Sequence, residues 1–285
     1  MSFYATIRSQ YPRSARMLGD ARAKWVDLGE QARFYGATVA SFRDVLTKYP
    51  SELLRQVASM SLGTGALAVI GGTVAIVAFM TMSTAAAGAS QFYSNLSQVG
   101  VEALNGFAAA FANTRIVTPT TAAVAFAATI GAGATAQLGA MRISEEIDAL
   151  EVMGIRAIAY LASTRVAAAI IVAMPIYFVA LLMAFVAGRV ITTVFYGQSG
   201  GVYTHYFDTF FIAEDAIKSF VVTIAEVIVI MLIHTYYGFT ASGGPAGVGE
   251  AVGRATRASL VASGFIIMFV TLALFGQTGS FNFSG

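Results

Sequence analysis

The stretch RISEEIDALEVMGIR, residues 142–156, is a polar interruption in a chain that is almost continuously apolar on both sides of it. Four acidic residues fall within seven positions, and an arginine stands at each end. Apolar residues recur inside it at helical spacing, which predicts a short amphipathic helix over residues 143–154. Ser144 suits its N-cap, and Gly154 suits its C-terminal cap. The four acids are Glu145, Glu146, Asp148 and Glu151.

This helix is too short and too charged to cross a bilayer, which takes about 20 apolar residues. Two interpretations of it stay open at this point. Either the helix docks onto a soluble partner through its acidic face and its apolar stripe, or it is a solvated connection between two membrane spans. The stripe consists of Ile143, Ile147, Leu150 and Met153.

The composition assigns the whole chain to the membrane class. Hydrophobic residues make up 57% of the 285 residues and charged residues 11%, against about 25% charged in a typical soluble domain. The absence of cysteine excludes disulfides, thiolate catalysis and cysteine-ligated metals. With two distant histidines and no Walker-type phosphate loop, we expect no metal, no bound cofactor and no ATP hydrolysis by this chain.

Working outward, the pattern predicts an all-α membrane protein with two parts. Residues 1–55 form a basic N-terminal segment in which Trp25 and later apolar positions recur in steps of three and four, a pattern typical of a helix in the membrane interface. Residues 56–285 form one helical membrane domain with five stretches long enough to span a bilayer. The predicted spans are 62–82, 116–138, 166–188, 219–237 and 258–276.

Five spans place the two termini on opposite sides of the membrane. Residues 1–60, 139–160 and 238–257 lie on one side and hold thirteen of the seventeen Lys and Arg residues. The positive-inside rule therefore predicts a cytoplasmic N-terminus and an extracytoplasmic C-terminus. It also places the acidic helix in the cytoplasm, which favours the docking interpretation because a soluble partner can reach it there.

Charged residues near or inside the spans need separate interpretation. Glu226 lies in the fourth span, where a carboxyl group is costly, so it is a candidate for an intramembrane polar site. A carboxyl group paired or neutral inside the bundle explains it equally well. We expect His234 to lie near water at the inner end of that span, and Arg165 and Arg189 to anchor span boundaries.

Two segments are rich in small residues. The end of the second span, IGAGATAQLGAM (130–141), suits close packing between helices or between protomers. The glycine-rich polar segment 238–257 is expected to be a loop. Its Arg254 and Arg257 are expected to set topology, with contact to a cytoplasmic partner as the alternative.

Two motifs carry a resemblance to a known family. AQLGAMRISEEIDALEVMGIRAIAYLASTR (136–165) closely resembles the signature of the MlaE/YrbE permeases, and YYGFTASGGPAGVGEAVGRATRAS (236–259) resembles their second, glycine-rich motif. The first is most similar to the B-type of the two permeases encoded in actinobacterial mammalian-cell-entry (Mce) loci. The chain departs from the family at Gln137, where Glu is common, and at Thr164, where Pro is common. Both departures suit a heterodimer with diverged halves.

The resemblance implies a permease subunit of an ABC-type lipid transporter in the cell (inner or plasma) membrane, with an MlaE-like domain over residues 56–285. It implies a second permease chain that completes a lipid cavity, a cytoplasmic ATPase dimer that uses ATP, and Mce proteins outside that form a channel for lipid import. The acidic helix would be the coupling helix, bound in a groove of the ATPase through its carboxylates and its apolar stripe. The coupling residues are then Ser144, Glu145, Glu146, Asp148, Leu150 and Glu151.

Two other functions stay open. One is an ion-coupled secondary carrier that uses Glu226 and His234, although the chain lacks the convincing internal repeat that such carriers often have. The other is a membrane scaffold that transports nothing. For a transporter, the sequence leaves the lipid open among fatty acids, mycolic-type lipids and sterols, and it does not identify the Mce locus.

Overall fold

The computed structural model describes residues 12–62 and 72–276, with side chains from residue 25 onward, and every regular element in those ranges is a helix. Three helices come first, α1 (Pro12–Ala40), α2 (Phe42–Lys48) and α3 (Pro50–Leu62). Five helices are long and apolar enough to span a membrane: α4 (Gly72–Ser97), α5 (Glu102–Ile143), α7 (Ile158–Phe195), α9 (Ala213–Phe239) and α10 (Gly244–Phe275). The two short helices between them are α6 (Glu146–Val152) and α8 (Gly200–Phe210).

The predicted fold class, an all-α membrane protein with five spans, is confirmed. The helices are longer than the predicted spans. The first predicted span overlaps α4 from residue 72 onward, and its residues 63–71 lie outside the described part of the chain, as do residues 1–11 of the N-terminal segment.

Helix α5 begins 14 residues before the predicted second span, at Glu102 instead of residue 116. The predicted span begins directly after Arg115. The Nε atom of Arg115 lies 2.8 Å from Oδ2 of Asp215 on α9, and its guanidinium lies 4.4 Å from the ring centroid of Phe111. The charge is therefore paired inside the bundle, and the helix continues through it.

The prediction of a loop over residues 238–257 is wrong for most of its length, because α10 begins at Gly244. The helix starts behind Gly243, whose φ of 89° is the left-handed conformation that glycine adopts easily. Some small residues serve close packing of this end of α10. A Cβ atom on Gly139 of α5 would lie 2.8 Å from the side chain of Val248. The small residues therefore bring α5 and α10 together within one chain.

The main core lies among α4, α5, α7 and α9, where large apolar side chains fill the space between closely packed alanines. Such packing of small against large residues supplies contact energy in lipid, where apolar side chains gain little from leaving the solvent. Representative members of this core are Val77, Phe126, Val172, Ile176 and Met231.

The N-terminal helices α1 and α2 present two different faces. One face packs on the membrane domain and includes the buried residues Phe34 and Val45. The predicted apolar stripe lies mostly on the other face, where its large side chains are exposed. This face is apolar and unpacked within the described part of the chain, as expected for a helix at the membrane interface. Its exposed members are Trp25, Leu28, Val39 and Leu46.

The Arg115–Asp215 pair predicts a specific pattern of stabilities. Asp215→Ala leaves a largely buried guanidinium without a partner and should lower the free energy of unfolding in detergent by about 3 kcal/mol. The double substitution Arg115→Met, Asp215→Leu removes both charges and should lose much less, because no unpaired charge remains. Denaturant titration of the three proteins measures both values, and equal losses in the single and double variants would contradict the pairing.

Candidate functional site

The acidic segment contains a shorter helix than the sequence predicted, and its N-cap differs. Helix α6 runs from Glu146 to Val152, and Glu145 precedes it with a φ of 60°. Ser144 is not the N-cap. It ends α5, and its hydroxyl lies 3.0 Å from the carbonyl oxygen of Ala140 and 2.9 Å from Oε1 of Glu146. The chain therefore reverses between two helices at Ser144–Glu145, and this sharp turn brings the acidic residues to one end of the bundle.

The carboxylates of this segment are directed away from the protein. All four acids are exposed, and one of them forms an ion pair, in which Nη1 of Arg142 lies 2.6 Å from Oδ1 of Asp148. Within the described residues the other three carboxylates have no cationic partner. The segment thus offers a concentrated negative surface that is free to meet a basic one. These acids are Glu145, Glu146, Asp148 and Glu151.

Only part of the predicted apolar stripe is available to a partner. Ile147 is fully buried against Leu138 and Leu161 of the same chain, and Leu150 is half-buried beside it. These residues hold α6 on α5 and α7, so they are not available to a partner. The exposed apolar surface comes from two other members of the stripe, Ile143 and Met153, and from Val152 beside them; Val152 and Met153 are 90% and 66% exposed.

Arg156 ties the segment after α6 to the N-terminal helices. Its Nη1 atom lies 2.7 Å from Oδ2 of Asp44 on α2, and its Nη2 atom donates to the hydroxyl of Ser41 at 3.1 Å. A hydrogen bond from Lys48, followed by the charge of Arg156, keeps the pKa of the Asp44 carboxyl below its usual value. Movement of α6 is therefore linked to movement of α1 and α2.

A second polar contact joins α3 to the start of α7 through the buried carboxylate of Glu52. It accepts hydrogen bonds from Arg55 at 2.9 Å and from Gln56 at 2.6 Å, and the hydroxyl of Tyr160 lies 3.4 Å away. Burial acts to raise the pKa of Glu52, but these hydrogen bonds outweigh it and the net pKa is lowered.

Arg165 is 4% exposed and donates to the carbonyl of Leu161. The expectation that Arg165 anchors a span boundary is therefore wrong, because it is buried seven residues inside α7.

A groove of about 430 Å³ lies between the end of α1 and the link from α6 to α7. Ala37 and Ser41 line it on one side, and Glu151 and residues 154–159 line it on the other. Gly154 has a φ of 76° directly after α6, consistent with its predicted place as the C-terminal cap. The groove separates the acidic surface from the N-terminal helices while Arg156 bridges it.

Glu226 is fully buried in the middle of α9. Neither of its carboxylate oxygens has a hydrogen-bond partner among the described residues. A charged carboxylate without a partner is very costly in such surroundings, so the acid is expected to be neutral there. The structure therefore places the candidate residue in the bundle, and no cation of the described residues forms an ion pair with it.

His234 lies deep in the bundle, so the expectation of a position near water is wrong. Its Nδ1 lies 2.7 Å from the hydroxyl of Thr135 on α5, and its Nε2 lies 3.1 Å from the hydroxyl of Ser259 on α10. Glycine at position 131 makes room for the ring, because a Cβ there would lie 2.7 Å from Cδ2 of His234. The histidine thereby links three spans.

Glu226 and His234 do not form one site. They are eight residues apart on α9, which corresponds to about 12 Å along the helix axis. Both nitrogens of the histidine already face hydroxyl groups. A relay between the two side chains therefore has no direct contact to use.

Arg254 and Arg257 are exposed on the first half of α10. Arg254 forms an ion pair with Glu250 one turn earlier, with Nη1 2.9 Å from Oε1. Within the described residues neither arginine pairs with the acids of α6. The structure does not bring these two arginines into the acidic segment.

Five spanning helices joined by short segments, with an exposed acidic turn at one end, define a polytopic helical membrane protein. The family model described as "Permease MlaE" matches residues 63–273. The chain belongs to the MlaE permease family.

Several similar proteins are named as probable ABC transporter permeases. The chain is 28% identical to a probable ABC transporter permease of Synechocystis over 58% of its own length and 63% of that protein. It is 29% identical to the Arabidopsis thaliana chloroplastic protein TRIGALACTOSYLDIACYLGLYCEROL 1, over 66% of this chain and 53% of that protein. It is 26% identical to a probable ABC transporter permease of Rickettsia felis over 85% of this chain and 92% of that protein. The matches to the first two thus span less than two thirds of those proteins.

Sequence reasoning missed the contacts that hold the acidic segment in place. Asp44 and Arg156 are 112 residues apart, as the two positions show, and no periodicity connects them. The residues on either side of Glu52 in the sequence likewise give no sign that its carboxylate is buried against another helix. A pairing of this kind is visible only once α2 and α7 are placed side by side.

The Asp44–Arg156 pair predicts a charge-swap effect. Arg156→Asp should widen the distance distribution between spin labels on α2 and after α6, because two like charges then face each other. Adding Asp44→Arg should restore the narrow distribution. The chain has no cysteine, so Thr47→Cys and Met153→Cys provide two unambiguous labelling positions for electron paramagnetic resonance.

The same pair has a defined pH dependence. Because the pKa of Asp44 is lowered by folding, its contribution is present above the ordinary aspartate pKa and is lost as pH falls through the folded-state value. Acidification should therefore widen the distribution in the native chain and leave Asp44→Asn unchanged. If neither the charge reversal nor the change in pH alters the distance distribution, the Asp44–Arg156 contact does not hold α2 to the segment after α6.

Glu226 predicts an increase in stability on substitution. Glu226→Leu removes two unpartnered buried oxygens and should raise the free energy of unfolding by about 1–3 kcal/mol. Glu226→Gln should give little gain, because its amide is equally unpartnered. Denaturant titration in detergent checks this, and destabilisation by Glu226→Leu would instead mean that another chain or water supplies a partner.

Proposed function

We propose that this chain is a transmembrane permease subunit of an ATP-driven lipid transporter of the Mce type. In this proposal it forms a lipid cavity with a second permease chain, is driven by a cytoplasmic ATPase dimer and passes lipid to or from an Mce channel, most simply as import. The chain itself performs no catalysis and binds no cofactor, and ATP is used by the partner subunit. Membership of the MlaE permease family and the ABC transporter names of its relatives support this proposal.

The observation that carries the proposal is the exposed acidic surface at the turn between α5 and α7. Three carboxylates without a cationic partner in the described chain, next to exposed Val152 and Met153, suit a basic groove with an apolar floor. A subunit that pushes on this surface moves α6 directly. It also moves α5 and α7 through Ile147, and α1 and α2 through Arg156. This is the mechanical requirement for a coupling helix.

The proposed coupling surface differs in one respect from the set that the sequence suggested. Glu145, Glu146, Asp148 and Glu151 remain its charged members, and Val152 and Met153 replace Leu150 as its apolar members. Ser144 contributes by shaping the turn. Arg254 and Arg257 lie on the same predicted side and are a secondary contact for the ATPase.

The orientation in this proposal follows the distribution of basic residues. The N-terminus and α6 are cytoplasmic, the C-terminus is extracytoplasmic, and the membrane is the cell (inner or plasma) membrane. The B-type resemblance of residues 136–165, together with the departures at Gln137 and Thr164, supports a heterodimer with a second, diverged permease. The ion-coupled carrier is less favoured because Glu226 and His234 lie apart and His234 is already hydrogen-bonded.

Reversal of the acidic surface should uncouple the transporter. Glu145→Lys, Glu146→Lys, Asp148→Lys turns an attractive surface into a repulsive one, so ATPase binding and lipid transport should both fall by at least about tenfold, equivalent to 1.4 kcal/mol. Co-purification of the ATPase in mild detergent and lipid transport in vesicles measure the two effects.

A matched control makes the same change in net charge elsewhere. Asp20→Lys, Asp27→Lys, Glu30→Lys alters three acidic residues of α1, on the same predicted side but outside α6, and it should retain ATPase. Both variants should insert normally. Unchanged ATPase binding by the α6 variant, or equal loss in both, would contradict α6 as the coupling helix.

A further inference from the structure

A pocket of about 250 Å³ lies at the end of the bundle opposite α6, between the last turns of α7 and helix α8. Its interior is formed by the rings of Phe185 and Phe207 and by Val186. Two residues of opposite charge, Arg189 and Asp208, also line it. An apolar interior with a few polar groups is the usual character of a small-molecule site.

The two charges of this pocket are not satisfied by the protein. Arg189 and Asp208 are both exposed, and within the described part of the chain neither side chain has an ion-pair partner, not even the other. Every other cation at this end of the bundle is paired, Arg115 with Asp215 and Lys218 with Glu214. The pocket therefore holds one positive and one negative group apart.

Tyr203 closes the inner side of the pocket. It lines the pocket and is 3% exposed, but its hydroxyl is itself buried, close to Gly188 and Asn113, and is not accessible from the pocket. The tyrosine therefore contributes apolar lining, and the charged contacts for an occupant come from Arg189 and Asp208.

The pocket continues into an apolar stripe that runs down the outside of α7. The five large side chains of this stripe recur every three or four residues, and each is between 43% and 59% exposed. Arg189 is three residues beyond the last of them, on the same face. The stripe is about 22 Å long at 1.5 Å per residue, which exceeds the roughly 15 Å depth of one leaflet. Its members are Ile171, Met174, Phe178, Leu182 and Val186.

These dimensions limit the occupant. The pocket has room for about eight molecules the size of water, which suits a headgroup but not a whole lipid. A purely anionic headgroup would be attracted by Arg189 and repelled by Asp208, whereas a headgroup with both charges satisfies both. An acyl chain attached to it would lie along the stripe of α7, at the depth of the hydrocarbon.

We propose that the pocket between Arg189 and Asp208 binds the zwitterionic headgroup of a membrane lipid, with an acyl chain lying along the exposed stripe of α7. This lipid is a resident component of the permease. The inference goes beyond the proposed transport function, because the site lies within one chain and its occupancy requires neither an ATPase nor a second permease.

The test uses the full chain, purified with the subunits that accompany it and placed in vesicles of phosphatidylethanolamine and phosphatidylglycerol. A trace of phosphatidylethanolamine with a photoreactive acyl chain is cross-linked, and the labelled peptides are identified by mass spectrometry. We expect labelling of the α7 stripe in the native chain. Arg189→Ala, Asp208→Ala should reduce it about tenfold, equivalent to 1.4 kcal/mol.

Two controls separate this site from ordinary lipid contact. Glu250→Ala, Arg254→Ala removes an exposed pair of charges at the other end of the bundle and should leave labelling of α7 unchanged. Asp208→Asn keeps the shape of the side chain and should weaken the phosphatidylethanolamine probe while strengthening a phosphatidylglycerol probe. Thermal unfolding establishes that each variant is folded.

Two results would overturn the proposal. In the first, the exposed face of α10 around Phe265 and Phe269 is labelled as strongly as α7, and Arg189→Ala, Asp208→Ala changes neither. That result would mean that the probe reports ordinary surrounding lipid. The other is equal labelling by the phosphatidylglycerol probe with no effect of Asp208→Asn, which would mean an anionic ligand. Failure of ATPase coupling by α6 affects neither result.

Discussion

The structure depends on how polar groups are satisfied inside an apolar helix bundle. The hydrocarbon of a membrane contains no water that could hydrogen-bond an unpaired charged or polar group. Such a group must therefore find a partner in the protein or lie at the membrane–water boundary. Arg115 meets Asp215, and His234 meets Thr135 and Ser259. These contacts fix α9 against α5 and α10, and they do so at both ends of α9. The register of the bundle is therefore set by a few polar pairs within extensive apolar packing.

The same need to satisfy polar groups explains how the acidic turn can receive a force from a soluble partner. Ile147 and Leu150 face inward and pack on α5 and α7, while the carboxylates, Val152 and Met153 remain exposed. Arg156 and Glu52 then connect this end of the bundle to α2 and α3 by polar contacts. A force applied to α6 reaches four other helices through one buried isoleucine and one arginine. Rigid attachment with an exposed charged surface is what transmission from a soluble motor requires.

Some buried polar groups of the bundle have no hydrogen-bond partner among the described residues, and their surroundings decide whether anything outside this chain can interact there. Glu226 is such a group in the middle of the bundle, and the hydroxyl of Tyr203 is another at the edge. The two differ in their surroundings. Glu226 is enclosed on all sides, whereas Tyr203 lies behind a pocket that opens beside the exposed charges of Arg189 and Asp208. Only the second place offers an outside ligand room and charged groups to contact.

The sequence by itself determined the class of the protein, the five spans, the family and the acidic face of residues 142–156, because hydropathy and helical periodicity are local properties. It could not place Ser144 or Arg165 correctly, nor see that 244–257 is helical. The surroundings of these residues depend on contacts between segments that are far apart in the sequence. Arg165 is buried, and Arg115 continues a helix instead of ending it, because partners lie on other helices. The tertiary structure alone decided which apolar residues of α6 remain exposed, since periodicity defines a stripe but not the neighbour that covers it.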